Sequence, residues 1–210
     1  MRILLMRHGQ TDLNVQKRLQ GSSEIPLNEQ GKEQAREAHA WLKEQELIPT
    51  KIISSPLGRA IETGQLAAGW TDHSNIEVYP DLIEMSFGIY EQQNMEEVDP
   101  NFLSTCFDHP ETYVAPKGGE SFDEVVLRAG HVVEMLRNRI AAGAITSDDT
   151  VLLVSHGALG HAILEYISKT PRSAYWDVDI NNCAVVELLI GSTRVDDRYK
   201  FLNNGFEKNW

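Results

Sequence analysis

Two short apolar segments of this chain each lead directly into a histidine, a glycine and a helical pattern. The first covers residues 3–6 and ends in Arg7-His8-Gly9, and the second covers residues 150–154 and ends in Ser155-His156-Gly157. Short apolar runs are typical of strands that are buried on both faces of a parallel sheet. The apolar residues at 158–167 then recur at helical spacing. This alternation predicts an α/β fold, a three-layer α/β/α sandwich with a mostly parallel central sheet.

The hydrophobic periodicity predicts six strands and four long helices. We expect the strands near residues 2–6, 50–54, 76–79, 150–155, 183–190 and 194–201. We expect the helices near residues 29–46, 56–68, 121–142 and 157–168. Ser55 is predicted to be the N-cap of the second helix, with Pro56 at its first position. This boundary would leave Arg59 near an exposed N-terminal turn.

Residues 89–120 interrupt the alternation of strands and helices. They contain three prolines and a Gly-Gly pair. Loops above the carboxyl ends of parallel strands often carry the residues that select a substrate. We therefore expect a single domain, residues 1–210, with an inserted mobile lid at about residues 89–120.

Composition limits the classes of function. A hydrophobic content of 41% and a charged content of 24% are ordinary for a globular domain. The net charge of −12 argues against a nucleic-acid partner, because binding the phosphate backbone needs clustered Lys and Arg. No run approaches the roughly 20 apolar residues that cross a bilayer, and no signal-peptide pattern precedes Arg7-His8. We expect no membrane partner and a cytoplasmic location. Cys106 and Cys183 form no CxxC motif, which argues against a zinc site or a disulfide framework.

An arginine and a histidine at the end of a buried strand indicate phosphoryl chemistry. Ligands of open α/β sheets bind at the carboxyl ends of the strands. A guanidinium can fork onto phosphate, and an imidazole can attack phosphorus. The strand near residue 54 is followed by Arg59, and the helices that begin after each strand favour anions at their N-termini. The sequence therefore predicts an anion site at this edge of the sheet.

These motifs occur in an order that resembles the histidine phosphatase superfamily, the phosphoglycerate-mutase-like proteins. The resemblance covers residue 1 to about residue 190. It rests on Arg7-His8-Gly9 with Thr11 and Asn14, Gln20-Gly21, Pro26-Leu27, Ser54-Ser55, Arg59-Ala60 with Thr63, Glu84 with Gly88, Gly119-Glu120-Ser121 and Ser155-His156-Gly157. It implies a phosphoglycerate-mutase-like fold and phosphoryl transfer through a phosphohistidine, with no metal and no other cofactor.

The resemblance implies a role for each central residue. His8 is the expected nucleophile, and Arg7 and Arg59 would lower its pKa and keep the imidazole neutral. Together with His156, the two arginines would hold the non-bridging oxygens of the phosphate. Glu84 is the expected general acid for the leaving alkoxide and the base for the attacking water.

Further residues carry weaker expectations. Asn14 would be either an amide donor to phosphate or a helix cap. The backbone N–H of Gly157 or Ala158 would also donate to phosphate, and Gln20 and Gly21 would contact the substrate. Asp81 and Glu91 lie close to Glu84 in sequence and could be mistaken for the acid.

The segment after Glu84 distinguishes hydrolysis from mutase chemistry. Mutases of this family carry Arg and Tyr directly after the acid, whereas this chain has Met85-Ser86-Phe87. The expected lid contains Lys117 as its only Lys or Arg. Gly88-Ile89-Tyr90-Glu91-Gln92 is closer to the phosphatase pattern Gly-x-Trp/Tyr-Glu-Gly, although the last glycine is missing.

The sequence therefore predicts a metal-independent phosphomonoesterase that acts on a small phosphorylated metabolite, such as a sugar phosphate or a nucleoside-related phosphate. Two alternatives stay open: a transfer of phosphoglycerate-mutase type, and a non-catalytic module that binds a phosphate ligand. No heptad or long apolar run indicates an oligomeric state.

Overall fold

Six strands form one mixed sheet in a computed structural model that describes residues 1–206. In chain order the strands are β1 (Arg2–Arg7), β2 (Lys51–Ser54), β3 (Glu77–Val78), β4 (Thr150–Ser155), β5 (Val185–Leu189) and β6 (Arg198–Asn203). Their order across the sheet is β3-β2-β4-β1-β5-β6. The first four of these are parallel, and β5 and β6 add an antiparallel edge. The predicted mostly parallel sheet is confirmed.

Helices cover both faces of the sheet. In chain order they are α1 (Asp12–Val15), α2 (Glu29–Glu44), α3 (Gly58–Ala68), α4 (Pro100–Leu103), α5 (Phe122–Ala141) and α6 (Gly157–Ser168). Alternate residues of β1 point to opposite faces: Leu4 and Met6 pack with α2 and α3, whereas Ile3 and Leu5 pack with α5 and α6. The fold is therefore the predicted three-layer α/β/α sandwich.

The strand register places the site at one edge of the sheet. Arg7 pairs with Ser155 across β1 and β4, and Ser54 pairs with Val154 across β2 and β4. Because parallel strands end together, the residues that follow β1, β2 and β4 meet at the same edge. A Cβ on Gly64 of α3 would lie 3.1 Å from side-chain carbons of both Ile52 and Val154, so glycine lets this helix approach the sheet closely.

The predicted start of α3 is wrong. The helix begins at Gly58, and its N-cap residue, Leu57, has no capping side chain. The hydroxyl of Ser55 instead lies 2.7 Å from Nε2 of His156 and accepts a hydrogen bond from the N–H of Leu57. Arg59 is fully buried, rather than lying near an exposed turn.

The predicted strand near residues 194–201 also begins later, at Arg198. Residues 194–196 form a turn of 3₁₀ helix. The buried carboxylate of Asp197 holds this turn, because it accepts hydrogen bonds from the guanidinium of Arg137 and from the N–H of Gly191. The strand predicted near 76–79 is reduced to the two exposed residues of β3.

Residues 89–120, called the insert below, form short helical turns. They include the end of a 3₁₀ turn (Gly88–Tyr90), α4, a π-helical turn (Ser104–Asp108) and a further 3₁₀ turn (Pro110–Thr112). Val98, Phe102 and Cys106 are buried in the same cluster as α5 and α6. The insert therefore packs against the fold; its mobility stays a prediction. Within residues 1–206, no helix has the length and apolar character to cross a membrane.

Candidate active site

The carboxyl edge of the sheet opens into a pocket of about 340 Å³. Its walls contain all the site residues predicted from the sequence except one: Arg7, His8, Asn14, Gln20, Gly21, Arg59, Glu84 and Gly157. The exception is His156, which is buried directly beside His8, with ring centroids 5.1 Å apart. Residues from four separated parts of the chain are thus brought together as predicted.

His8 is held in one tautomer at the pocket surface. Its Nδ1 lies 2.6 Å from the carbonyl oxygen of Gly9, so Nδ1 carries the proton and donates it to this oxygen. Nε2 then keeps its lone pair. Burial lowers the pKa of His8 well below its usual value, and the charges of Arg59 and Arg7 lower it further. The sequence predicts a lowered pKa for His8 from the two arginines, but it does not reveal the larger effect of burial. The result is a neutral imidazole.

His156 supports the neighbouring wall. Its Nε2 lies 2.7 Å from the hydroxyl of Ser55, whereas its buried Nδ1 has no hydrogen-bond partner. Burial lowers the pKa of His156, as do the charges of Arg59 and, less strongly, of Arg7. A buried polar atom without a partner is costly, so a ligand that reached Nδ1 would gain an interaction that the empty protein lacks.

Both arginines are anchored by carbonyl oxygens. Arg59 donates to the carbonyl oxygens of Ser23 (2.7 Å) and Gly21 (2.8 Å), and its buried Nε has no partner. Arg7 donates to the carbonyl oxygen of Ile180 at 2.7 Å. Because a guanidinium has five N–H donors, the two contacts of Arg59 fix its orientation and leave its buried Nε for an anion.

The loop after β1 contributes polar groups to the same pocket. Oδ1 of Asn14 accepts a hydrogen bond from the N–H of Thr11, while the hydroxyl of Thr11 donates to Oε1 of Gln20 at 3.0 Å. Asn14 therefore completes the capping box of α1, whose N-cap is Thr11, and also lines the pocket, with its Nδ2 left for a ligand. Gly21 has a φ of +53°, and a Cβ there would lie 2.2 Å from a carboxylate oxygen of Glu91, so only glycine fits.

Glu84 lies at the N-terminus of α6. Its carboxylate accepts hydrogen bonds from the N–H groups of Met85 (2.9 Å), Ala158 (3.1 Å) and Leu159 (2.9 Å). The N–H of Ala158, one of the two alternative backbone donors expected for phosphate, therefore donates to Glu84 in this structure. Gly157 lines the pocket beside Arg7 and Glu84.

The ion pair between Arg128 and Glu120 holds the segment that carries Glu84 in position. Arg128 of α5 donates to the carbonyl oxygens of Asp81 (2.9 Å) and Ile83 (3.0 Å). The same guanidinium binds both carboxylate oxygens of Glu120, which also accepts from the N–H of Ser86. The sequence indicates the Gly119-Glu120-Ser121 motif but not this positioning contact.

Asp81 and Glu91, the two carboxylates close to Glu84 in sequence, have hydrogen-bond partners outside the predicted phosphate site. Asp81 contacts His131 at 3.1 Å and does not line the pocket. Glu91 accepts hydrogen bonds from both Ser22 and Ser23, from the hydroxyl of Ser86 and from the N–H of Phe87. Glu84 is therefore the buried carboxylate of the pocket wall.

Several residues of the pocket carry no motif in the sequence. They are Arg18, Leu19, Phe107, His161, Trp176, Val178, Asp179, Ile180 and Asn181. The last five lie on the connection between α6 and β5, which has no regular pattern to mark it. His161 could have been found, since it follows Gly157 by four residues and so lies on the same face of α6. Residues 1–206 contain no group of three or more His, Cys, Asp or Glu side chains that could hold a metal ion.

Comparison with known proteins agrees with this geometry. The family model described as "Histidine phosphatase superfamily (branch 1)" matches residues 3–201. A glucosyl-3-phosphoglycerate phosphatase of Mycolicibacterium vanbaalenii is 33% identical over 201 residues, covering 93% of this chain and 86% of that protein. A "Probable phosphoglycerate mutase GpmB" of Photorhabdus laumondii is 30% identical over 188 residues, covering 88% of this chain and 83% of that protein.

Two further proteins extend the comparison. The "Bifunctional protein Rv2228c" of Mycobacterium tuberculosis is 38% identical over 158 residues; the match covers 74% of this chain and only 41% of that longer protein. The solved structure of Bacillus stearothermophilus YhfR superposes with a TM-score of 0.79 at 27% identity, covering 99% of this chain and 98% of that one. The chain belongs to the histidine phosphatase superfamily.

Proposed function

We propose that this protein is a phosphomonoesterase that hydrolyses a small phosphorylated metabolite through a phosphohistidine on His8. The observation that carries the proposal is the state of His8. Its proton is held on Nδ1 by Gly9, which leaves the Nε2 lone pair in a pocket with two buried or half-buried arginines. A neutral imidazole beside fixed cations is the arrangement that attack on a phosphate dianion needs.

In the first step, Nε2 of His8 attacks phosphorus and the P–O bond to the alcohol breaks. Arg7 and Arg59 bind the non-bridging oxygens, together with Nδ2 of Asn14 and Nδ1 of His156. Glu84 donates a proton to the leaving oxygen. The products are the free alcohol and a phosphohistidine.

In the second step, water attacks the phosphohistidine. The carboxylate of Glu84 takes a proton from this water, the N–P bond breaks, and inorganic phosphate leaves. His8 and Glu84 are then back in their starting protonation states. Overall, one ester and one water give one alcohol and one phosphate. The arginines supply the positive charge at the phosphate, so we propose that no metal ion is required.

A transfer of phosphoglycerate-mutase type is the second candidate, because several relatives carry that name. The residues after Glu84, Met85-Ser86-Phe87, supply no cation for a glycerate carboxylate, which favours hydrolysis. A mutase would conserve total phosphoester and would depend on added 2,3-bisphosphoglycerate. A non-catalytic module would bind phosphate without releasing it from any ester.

Phosphate release from p-nitrophenyl phosphate in the presence of EDTA tests the proposal directly. The parent protein is expected to release phosphate, and His8→Ala is expected to lose essentially all activity while keeping its fold, measured by circular dichroism. A folded His8→Ala variant with more than a few per cent of parental activity would falsify the covalent mechanism. Phosphohistidine is hydrolysed in acid but is stable in base, so quenching the parent in alkaline SDS during turnover with ³²P-labelled ester should trap label on His8.

We also propose a reducing compartment such as the cytoplasm. Both cysteines, Cys106 and Cys183, are free and buried in the structure. Disulfides are the usual state of paired cysteines in oxidising compartments. Fractionation of the cells that express this chain tests the location.

A further inference from the structure

The part of the pocket next to Glu84 is lined by apolar and aromatic side chains. Phe87 follows Glu84 by three residues, and Phe107 of the insert and Trp176 lie on the same pocket wall. The rings of Phe107 and Trp176 are 5.4 Å apart at an interplanar angle of 40°. Both side chains are half-buried. Their remaining exposed surface therefore faces a cavity that already holds the predicted phosphate site.

Trp176 is fixed in place by the surrounding structure. Its indole N–H donates to the carbonyl oxygen of Cys106 at 2.7 Å, which links it to the insert. Its ring also contacts Phe122, Tyr175 and His161, at centroid distances of 6.2, 4.8 and 4.7 Å. With its polar atom already bonded, Trp176 offers only its apolar ring surface to a ligand.

A hydrogen bond, one turn of α6 and two ring contacts connect Glu84 with this aromatic pair. The N–H of Ala158 donates to Glu84, and His161 lies one turn along the same helix. The ring of His161 contacts Trp176, which contacts Phe107. The proposed acid must lie at the leaving oxygen of the ester. The organic part of the substrate therefore extends from Glu84 toward Phe107 and Trp176.

Few polar groups on this side could bind a polyol. Both ring nitrogens of His161 lie 2.7 Å from carbonyl oxygens, those of Gly157 and Val178, so neither faces the substrate. Arg18 donates to the carbonyl oxygen of Gln92. Asp179 lines the pocket as a carboxylate and would repel a second anionic group. Sugar hydroxyls would lose water here and would find few side-chain partners besides Asp179 and Asn181.

We propose that the alcohol part of the substrate carries an aromatic or similarly flat apolar group that packs against Phe107 and Trp176. This inference rests on the proposed phosphomonoesterase activity and deepens it. It narrows the expected small phosphorylated metabolite to monoesters of apolar alcohols and disfavours phosphates of free sugars.

A matched pair of substrates tests this preference. 2-Phenylethyl phosphate and 2-hydroxyethyl phosphate are both esters of primary alcohols, so their leaving groups need similar protonation. We expect kcat/KM for the phenylethyl ester to exceed that for the hydroxyethyl ester by at least about tenfold, as burial of an aromatic ring requires. Equal values for the two esters would overturn the inference and leave the phosphatase intact.

Two substitutions locate the preference on the aromatic pair. Phe107→Leu and Trp176→Leu should each lower the ratio of the two kcat/KM values at least about threefold. Trp41→Leu is the matched control, because Trp41 is a half-buried tryptophan on the opposite face of the sheet. It should leave the ratio unchanged. A ratio that stays at the parental value in both pocket variants would contradict the assignment.

Inhibition of the parent protein gives a readout that needs no variant and no leaving group. 2-Phenylethylphosphonate should inhibit hydrolysis of p-nitrophenyl phosphate with a Ki at least about tenfold below that of ethylphosphonate. Equal Ki values would overturn the inference. A complete lack of p-nitrophenyl phosphate hydrolysis would instead overturn the proposed function and, with it, this inference.

Discussion

Arg59 is fully buried, yet its hydrogen bonds go to carbonyl oxygens of the 21–23 loop. A carboxylate partner would have neutralised the charge; carbonyl oxygens orient the guanidinium and leave its charge available. Burial without an ion pair is costly, and a bound phosphate dianion would recover part of that cost. Arg59 is therefore better explained by anion binding than by stability.

Replacing Arg59 tests this explanation. Arg59→Met keeps side-chain length but removes the charge, and we expect kcat/KM for p-nitrophenyl phosphate to fall by a factor of about 10²–10³, as when a charged donor is lost from a dry site. Arg18→Met is the control, since Arg18 is an exposed arginine on the same pocket wall. Its effect should be below about tenfold. Equal losses in the two variants would mean that Arg59 acts only through the general charge of the pocket.

The contribution of Glu84 to the rate is expected to grow with the pKa of the leaving alcohol. Glu84→Gln keeps the shape but supplies neither a transferable proton nor a base. An alkyl ester should slow by a factor of about 10²–10⁴, the usual contribution of general acid catalysis. Transfer from p-nitrophenyl phosphate needs little protonation, so its phosphohistidine burst should slow far less. Pre-steady-state kinetics separate that burst from hydrolysis; equal slowing of both esters in the burst would assign the acid to another residue.

The insert contributes Glu91 as well as Phe107 to the site, because Glu91 holds the loop that binds Arg59. Glu91 accepts hydrogen bonds from Ser22 and Ser23, whose loop supplies the two carbonyl oxygens that hold Arg59. Burial alone would raise the pKa of Glu91, but hydrogen bonds from Ser23, Ser22 and Ser86 outweigh it and lower the pKa. The ionised carboxylate thus positions the loop, and the loop positions Arg59.

Glu91→Gln should therefore impair phosphate binding indirectly. We expect KM for p-nitrophenyl phosphate to rise about tenfold with a smaller change in kcat, because the charge-assisted hydrogen bonds to the 21–23 loop are lost. Glu97→Gln, an exposed carboxylate of the same insert, should behave like the parent. In a double-mutant cycle with Arg59→Met, the effect of Glu91→Gln should largely disappear. Full additivity would show that Glu91 does not act through Arg59.

These contacts explain which elements could be predicted from sequence. The strands before His8 and His156 were predictable because apolar runs, glycines and helical spacing are local signals. The start of α3 was not, because the hydroxyl of Ser55 is engaged by His156, which lies 101 residues away. The same reason hides the roles of Glu91 and Trp176: each depends on a partner from a distant segment, and neither has a periodic pattern around it.

Burial of His8 and His156 at the carboxyl edge of the sheet ties the site to overall stability. The sheet brings both imidazoles to the same edge and removes them from water, and burial is the largest cause of the lowered pKa of each. A third buried imidazole, His161, has a lowered pKa for the same reason, although its two carbonyl contacts oppose the shift. The arrangement that keeps the proposed nucleophile neutral must therefore make folding sensitive to acid.

The direction and range of this sensitivity follow from proton linkage. In the unfolded chain these histidines titrate near their ordinary pKa of about 6.5. Well above that pH neither state binds the proton, and the stability that depends on neutral histidine is fully present. As the pH falls through about 6.5, the unfolded chain takes up protons that the folded protein does not, so stability is lost. Each histidine contributes a slope of up to about 1.4 kcal/mol per pH unit.

Urea unfolding of the parent between about pH 7.5 and pH 5.5 should show this loss before the carboxylates titrate. His156→Gln removes one of the groups and should lower the slope of the free energy of unfolding by up to about 1.4 kcal/mol per pH unit, whatever its effect on stability at neutral pH. His73→Gln, at an exposed position, is the control and should keep the parental slope. A flat profile in the parent, or the same slope in His156→Gln, would mean that burial does not hold these imidazoles neutral. The tautomer argument for His8 would then lose its physical basis.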